Sequence, residues 1–318
     1  MKKKIIGYLV SLLCLSIIIL NLNLEDVFNH LLRFNFKFIL YALISLSIGY
    51  FFRIVRWHKL LIAAGNKLIL NQCFTPFMAS VALNNTLPLR AGDVIRVIVF
   101  PSLMSITKTD SASSLIAERT FDLLILLFLI LVGFSFDWSN IIEFHKLFVL
   151  IFFLILLIMF FLGSTSISRN IETFLEKIKR NKNSPKIMIS LSEMLFQLTN
   201  NFKFFSKKNN FFPALISSVF IWVAESFVFY FIMLGFNFDA NISSAFLVMA
   251  FSTLSTLIPS SPGYFGPFHL AAYTSLLMYG YDSDISGSYA FFIHLILWLP
   301  TTLVGIIAML FNPRLFNY

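Results

Sequence analysis

The sequence predicts an all-α integral membrane protein, a polytopic helical bundle. Of its 318 residues, 58% are hydrophobic and only 12% are charged, whereas a soluble domain of this length carries far more charge on its surface. Its mean hydropathy is +0.85. The apolar stretches are long and continuous rather than alternating, which argues against a transmembrane β-barrel.

Six stretches are long enough to be full membrane spans. They cover residues 5–24, 37–56, 112–135, 147–163, 212–235 and 288–311. The first resembles a secretory signal peptide, with a basic end and an apolar core, but no A-x-A-like cleavage site follows it. We expect a retained first span; a cleaved signal is the alternative.

Two further apolar regions are interrupted. Region 74–107 is broken by LPLRAGD and region 244–280 by PSSPGYFGP. Each half of the first region is about 15 residues, or roughly 22 Å of helix, which is short of the approximately 30 Å hydrocarbon core. We therefore predict two re-entrant hairpins, each entering and leaving on one side of the membrane.

The distribution of basic residues predicts the topology. The cytoplasmic pieces would be 1–4, 53–67, 108–111, 164–211 and 312–318. They hold 18 of the 24 Lys and Arg residues, whereas the outer loops, about 21–37, 136–146, 236–243 and 280–287, hold three, a strong positive-inside bias. Both termini are then cytoplasmic, and the two hairpins enter from opposite faces, as in transporters built around broken helices. The basic loop 164–211 is interpreted either as an interfacial helix or as a surface that gathers anionic headgroups.

Six ionisable residues lie in segments that this topology places at membrane depth. They are Arg90, Asp93, Arg96, Glu118, Arg119 and Asp122. A central Arg or Asp facing lipid costs about 2.5–3.5 kcal/mol, so these side chains must face one another or a wet cavity. Their spacing of three and four residues allows shared helix faces, and their charges sum to zero, as a buried ionic network requires.

Two interpretations of this cluster are open. It is either a structural staple between the first hairpin and the third full span, or a site for an anionic headgroup or a coupling proton. In the functional interpretation, Arg90 and Arg96 contact phosphate. Glu118, Arg119 and Asp122 hold those arginines in place, and Glu118 and Asp122 are also proton-coupling candidates.

The second interruption places two prolines and two glycines between Pro259 and Gly266, and a third proline, Pro267, follows. Unpaired backbone groups are tolerated at membrane depth only inside protein or beside water. We expect Ser260 and Ser261 to offer hydroxyls there, and Gly263 and Gly266 to let a ligand approach the backbone. A helix beginning near Phe268 would aim its N-terminal amides at the same space, which favours an anion.

Five more polar residues are candidates with structural alternatives. Asn84, Asn85 and Thr86 precede Pro88 and either line the site, with Asn85 contacting substrate, or cap a helix end. Glu225 is the only charge in its span, so it is either a proton relay or hydrogen-bonded within the fold. His269 is either structural or a ligand and proton site.

Several function classes lack sequence support. No enzyme motif, P-loop or zinc-type spacing occurs, so we expect neither catalysis nor a metal or cofactor. Cys14 and Cys73 lie in apolar surroundings and predict no disulfide framework. The net charge of +9 falls in loops between spans, which does not form the exposed basic stripe of a nucleic-acid binder.

Three separated motifs resemble those of the lysylphosphatidylglycerol synthase membrane-region family, also called flippase-like or uncharacterised protein family 0104. They are NNTLPLRAGDVIRVIVF, SASSLIAERTFDLL and IPSSPGYFGPFHLAA, and the resemblance covers about residues 5–311. The matching positions are Asn85, Pro88, Arg90, Gly92, Asp93, Arg96, Glu118, Arg119, Asp122, Pro259, Pro262, Gly263 and Gly266.

The resemblance implies membrane lipid handling in a bacterial cytoplasmic membrane. In two-part members a membrane domain flips an aminoacylated phospholipid that a cytosolic domain makes; we expect no synthase domain in this chain. The expected function is movement of an anionic or zwitterionic phospholipid, or of a lipid-linked carrier, between leaflets. The alternatives are a small-anion or proton-coupled transporter and a non-transporting partner of a glycosyltransferase or lipid synthase.

Overall fold

A computed structural model describes residues 2–137 and 208–312, together with the single residue Thr173. All regular secondary structure in this part of the chain is helical. The predicted span 147–163 lies outside the described residues. So does the predicted loop 164–211, apart from Thr173 and the start of a helix at Lys208.

The described helices are numbered here in chain order. They are α1 (Lys2–Ile19), α2 (Leu24–Leu32), α3 (Lys37–Ala63), α4 (Leu70–Thr86), α5 (Ala91–Ile98), α6 (Phe100–Met104), α7 (Lys108–Asp137), α8 (Lys208–Gly235), α9 (Ile242–Ser255), α10 (Pro267–Met278) and α11 (Ser283–Leu310). Single 3₁₀ turns, Pro88–Arg90 and Pro262–Tyr264, stand at the two interruptions.

Among these helices, three are long and apolar enough to cross a bilayer. They are Lys37–Ala63, Asn210–Gly235 and Ser283–Leu310, and they make the chain an integral membrane protein. The predicted count of six full spans is not confirmed. Helix α7 has 30 residues, but it carries Glu118, Arg119 and Asp122, so its first half is not uniformly apolar.

The first predicted span, 5–24, ends earlier than expected. Helix α1 stops at Ile19, and α2 follows at an angle of 83°. Asn23 caps the start of α2, where its side chain accepts a hydrogen bond from the Glu25 amide. Segment 21–37, interpreted as an outer loop, therefore contains a helix, which is tied to α11 by the Asn23 amide donating to Asp284 at 2.7 Å.

The predicted cytoplasmic piece 53–67 is helical as far as Ala63. Helix α3 continues through FFRIVRWHKLLIA to Ala63, because no proline or glycine interrupts it before Gly65. Arg53 and Arg56 therefore lie within a membrane-spanning helix, and Arg56 is buried, with 2% of its surface exposed. Without these two residues, the predicted cytoplasmic pieces still hold 16 Lys and Arg against three outside.

Helix α3 lies along α8, and this pair forms one side of the apolar core. Gly49 of α3 approaches the backbone of α8 at Ile221, and the Ser45 hydroxyl donates to the Ala224 carbonyl at 2.7 Å. Helix α4 packs on α11, and α9 packs between α7 and α10. These contacts bring the charged parts of α3, α5 and α7 to one interior space.

The two interrupted segments face each other. Helices α4 and α5 pack together so closely that a Cβ at Gly92 would overlap the Ser80 carbonyl. Helices α9 and α10 flank the second interruption and pack against each other, as α4 and α5 do at the first. The two 3₁₀ turns are in contact. Their entry into the membrane from opposite sides stays a prediction.

Candidate functional site

The charged side chains of α3, α5 and α7 form ion pairs in the interior. Arg56 contacts Asp122 at 2.7 Å, and Arg119 contacts Asp93 at 2.8 Å and Asp122 at 3.6 Å. Arg96 pairs with Glu118. Five of the six predicted cluster residues, all but Arg90, therefore come together on facing helices.

Arg53 and Glu225 extend this network. Glu225 of α8 pairs with Arg53 of α3, so the predicted alternative of internal pairing describes its position. The network then holds four arginines and four carboxylates. Sequence reasoning missed Arg53 and Arg56 as members of the cluster because it counted them in the cytoplasmic piece 53–67. The signal that could have found them is the lone Glu225, which needs a cation at the same depth.

Aromatic and polar side chains fix the orientation of these ions. The Arg96 guanidinium lies 5.0 Å from the ring centre of Trp57 and 5.1 Å from that of Phe77, which favours a desolvated cation. Trp222 donates its indole N–H to Asp122 at 3.0 Å. Asn84 accepts from the Asp93 amide at 3.0 Å, so it caps the start of α5 across the turn.

A cavity of about 140 Å³ lies between these residues, and we call it the ionic chamber. Five buried atoms of its lining residues have no hydrogen-bond partner among the described residues. They are Arg53 Nε, Arg56 Nε, Arg96 Nε, Glu118 Oε1 and Asp122 Oδ2. Buried polar atoms normally have a partner, so the chamber suits water or a polar group of a ligand.

Arg90 occupies a different place from the other arginines. Its guanidinium donates to the hydroxyl of Thr256 at 2.9 Å and to that residue's carbonyl at 3.2 Å, and it lies 5.4 Å from the ring centre of Tyr264. Within residues 2–137 and 208–312, no carboxylate lies within 4.0 Å of Arg90. Its positive charge is therefore not compensated by an ion pair there.

Arg90 lines a second cavity, of about 200 Å³, between the two interruptions. We call it the Arg90 cavity. Ser260, Ser261 and Gly263 also line it, as predicted for a site at the second interruption, and Asn84 and Tyr264 line both this cavity and the ionic chamber. The two spaces are thus neighbours, separated by these two side chains.

The structure gives the two glycines a packing role. A Cβ at Gly263 would lie 2.8 Å from the indole nitrogen of Trp298, and one at Gly266 would lie 2.7 Å from Cα of Ser11 in α1. Protein, rather than open space, therefore adjoins the Gly266 backbone. The Ser11 hydroxyl also accepts from the Ser261 amide at 2.8 Å and donates to the Phe265 carbonyl at 2.6 Å.

The predicted anion site at the start of the helix near Phe268 does not adjoin the cavity. Helix α10 begins at Pro267, and Pro267, Phe268 and His269 are buried. The cavity lining ends at Tyr264. The Gly266 amide donates to Nδ1 of His269 at 3.3 Å, so the N-terminal donor nearest the turn already has a protein partner.

His269 and Asn85 are placed by neighbouring helices. His269 is buried against His294, whose Nε2 lies 2.7 Å from the Gly263 carbonyl. Asn85 donates to Thr301 and Thr302 of α11 at 3.1 and 2.9 Å, and it also lines the ionic chamber. These contacts provide structural partners for both residues and leave their substrate and proton roles as predictions.

Comparison with known proteins identifies a family. A family model described as the lysylphosphatidylglycerol synthase TM region matches residues 4–305. No curated protein and no solved structure matches the chain. The match includes every helix that lines the ionic chamber and the Arg90 cavity.

Proposed function

The chain belongs to the lysylphosphatidylglycerol synthase TM-region family, and from that membership we propose that it moves a lipid between membrane leaflets. The lipid is an anionic or zwitterionic phospholipid or a lipid-linked carrier. One observation carries the proposal: Arg90 lines the cavity between the two interruptions and has no carboxylate within 4.0 Å in the described part of the chain. A guanidinium without a carboxylate partner suits a phosphate group.

The rim of the Arg90 cavity favours a lipid over a small soluble anion. Leu89, Leu257 and Ile258 line it and are exposed, Leu257 by 64% of its surface. Exposed leucine and isoleucine are suited to contact acyl chains in a membrane-spanning fold. A cavity with a cationic floor and an apolar rim therefore suits a molecule whose polar head and apolar tail enter together.

The ionic chamber extends the proposed polar path inward. Arg119 is the most accessible of its arginines, with 44% of its side chain exposed, and it contacts two carboxylates. A headgroup phosphate could therefore take up one contact while Arg119 keeps another. The buried pairs Arg96–Glu118 and Arg56–Asp122 would hold the wall, because removing either partner leaves an uncompensated charge.

The finer features of the proposal follow the sequence. We place the protein in a bacterial cytoplasmic membrane with both termini cytoplasmic, six full spans and two opposed re-entrant hairpins. Transport is downhill or proton-coupled, with Glu118, Asp122, Glu225 and His269 as coupling candidates, and no catalytic step is included. A lipid-modifying enzyme or glycosyltransferase is the proposed protein partner.

Lipid movement in vesicles tests the proposal. The full chain is reconstituted into phosphatidylglycerol liposomes that contain a fluorescent phosphatidylglycerol, and dithionite bleaching reports the exchange of leaflets. We expect Arg90→Ala to slow exchange at least tenfold, since a hydrogen bond to a charged group contributes about 1.5–3 kcal/mol. Arg33→Ala, at an exposed arginine outside both cavities, is the matched control and keeps the wild-type rate.

The same vesicles separate the rival functions. Exchange at the wild-type rate in Arg90→Ala contradicts the assignment of Arg90. Uptake of labelled phosphate without lipid exchange favours the small-anion transporter. Absence of both activities in the wild-type chain favours a non-transporting partner.

A further inference from the structure

A third cavity, of about 330 Å³, lies between α3, α4 and α11. We call it the lateral groove. Most of its lining is apolar, including Leu46, Ile54 and Met78. Phe74 and Val304 line it and are exposed, so the groove opens on the outer surface of the helical bundle. Its volume lies at the lower end of the range for ligand pockets, about 300–1,000 Å³.

Tyr50 separates the lateral groove from the ionic chamber and lines both. Thr301 of α11 also lines the groove, and the Arg53 guanidinium lies 5.6 Å from the ring centre of Tyr50. A tyrosine suits such a boundary because its ring packs with apolar groups while its hydroxyl keeps a polar partner. The apolar groove is therefore continuous with the charged interior across one side chain.

We propose that the lateral groove holds an acyl chain of the lipid whose polar group occupies the ionic chamber. The proposal rests on the proposed function for the identity of that lipid. The acyl chain would lie along Phe74 and Val304, and the glycerol region of the lipid would pass Tyr50. On the predicted topology the groove lies in the cytoplasmic half of the membrane, because it reaches Leu70 at the start of α4 and Val304 near the end of α11.

The physical effect of the groove is on position more than on affinity. An acyl chain in the bilayer is already in apolar surroundings, so moving it into the groove removes little apolar surface from water. What the groove supplies is a fixed place for the chain next to Tyr50. The measurable consequence is therefore where a lipid chain lies and how fast its headgroup moves.

Photocrosslinking locates the chain. The full-length protein is placed in phosphatidylglycerol nanodiscs with one molecule in a hundred carrying a diazirine on an acyl chain, and crosslinked peptides are identified by mass spectrometry. We expect enrichment of at least fivefold at Phe51, Phe74 and Val304 over the exposed residue Leu12 of α1, which lies outside the groove lining. An even distribution around the helical bundle would overturn the proposal.

Filling the groove provides the second arm. Val304→Trp places a large side chain at the groove, whereas Leu303→Trp makes the same change at the adjacent exposed residue, which does not line it. We expect Val304→Trp to lower crosslinking at Phe74 and lipid exchange at least fivefold, and Leu303→Trp to leave both near wild type. Equal effects of the two substitutions would contradict the proposed acyl-chain site in the lateral groove.

The two proposals fail in distinguishable ways. Crosslinks in the lateral groove of wild-type protein that exchanges no lipid would support the acyl-chain site and contradict the proposed function. Lipid exchange that depends on Arg90 but is insensitive to Val304→Trp, with no enrichment of crosslinks at Phe74, would support the proposed function and overturn the acyl-chain site.

Discussion

In the first interruption, residues 87–90, the chain turns through Leu89 and Arg90 in the left-handed region, with φ of 60° and 53°. In the second, residues 256–266, the turn contains prolines, and Gly263, Tyr264 and Gly266 have positive φ of 71°, 63° and 97°. The first interruption leads directly into the helix that carries Asp93 and Arg96. The second carries no charge and is held by Ser11, His294 and Trp298.

The comparison shows that the two interruptions contribute different properties to one site. Both interruptions place ordinary residues in the left-handed region, Leu89 and Arg90 in the first and Tyr264 in the second, and such strain is found mostly where the surrounding contacts enforce it. In the first interruption this backbone aims Arg90 away from the ion-paired network. The second provides a close-packed backbone that forms the opposite side of the cavity. Mutations can therefore test the charge of the first interruption and the close packing of the second separately.

The largest effect is expected at the charged side of this comparison. Arg96→Met removes one partner of the buried pair with Glu118 and leaves the carboxylate uncompensated, which costs about 3–5 kcal/mol in a buried site. We expect a loss of that size in the free energy of unfolding, measured by SDS titration in mixed micelles.

A double substitution tests whether the charge itself is the cause. Arg96→Met combined with Glu118→Leu replaces both ions with apolar side chains, so it should recover at least half of the lost stability. If the double variant is as unstable as the single one, packing against Trp57 and Phe77, rather than ion pairing, explains the loss.

The next largest effect is expected at the close-packed side. Gly266→Ala adds a Cβ at a φ of 97° that would lie 2.7 Å from Cα of Ser11, and we expect a loss of about 2–4 kcal/mol in unfolding free energy. Gly280→Ala is the matched control, because Gly280 has a φ of 83° but nothing within 4 Å of the added atom.

The difference between these two variants isolates the contact with α1. Gly280→Ala should cost only the backbone strain, about 1–2 kcal/mol. Equal losses in Gly266→Ala and Gly280→Ala would show that strain alone requires the glycine at position 266.

The clustering of the charged residues was largely predictable from the sequence, whereas the separation of Arg90 from the ion-paired residues was not. Spacing places Asp93 and Arg96 on one face and Glu118 and Asp122 on another, and the structure brings them together. Arg90 and Arg96 both follow this spacing. Only the left-handed turn at Arg90, which no periodicity encodes, directs one arginine to Thr256 and the other to Glu118.

Partners distant in sequence account for the rest. Arg53 and Arg56 lie where the predicted span 37–56 overlaps the predicted cytoplasmic piece 53–67, so their position in the sequence alone did not predict burial. Their burial depends on carboxylates at Glu225 and Asp122, 172 and 66 residues away. The role of α1 at the second interruption is equally non-local, since Ser11 and Ser261 are 250 residues apart.

The smallest effect is expected at that α1 contact. Ser11→Ala leaves the Ser261 amide without the acceptor it has at 2.8 Å and removes the donor to the Phe265 carbonyl, so we expect a loss of about 1–3 kcal/mol in unfolding free energy. Ser252→Ala is the control, because that buried hydroxyl donates within its own helix, to Val248 at 2.6 Å, and should cost less. If α1 maintains the conformation of the second interruption, Ser11→Ala also slows lipid exchange more than Ser252→Ala does. Equal exchange rates in the two variants would show that the α1 contact affects stability but not lipid exchange.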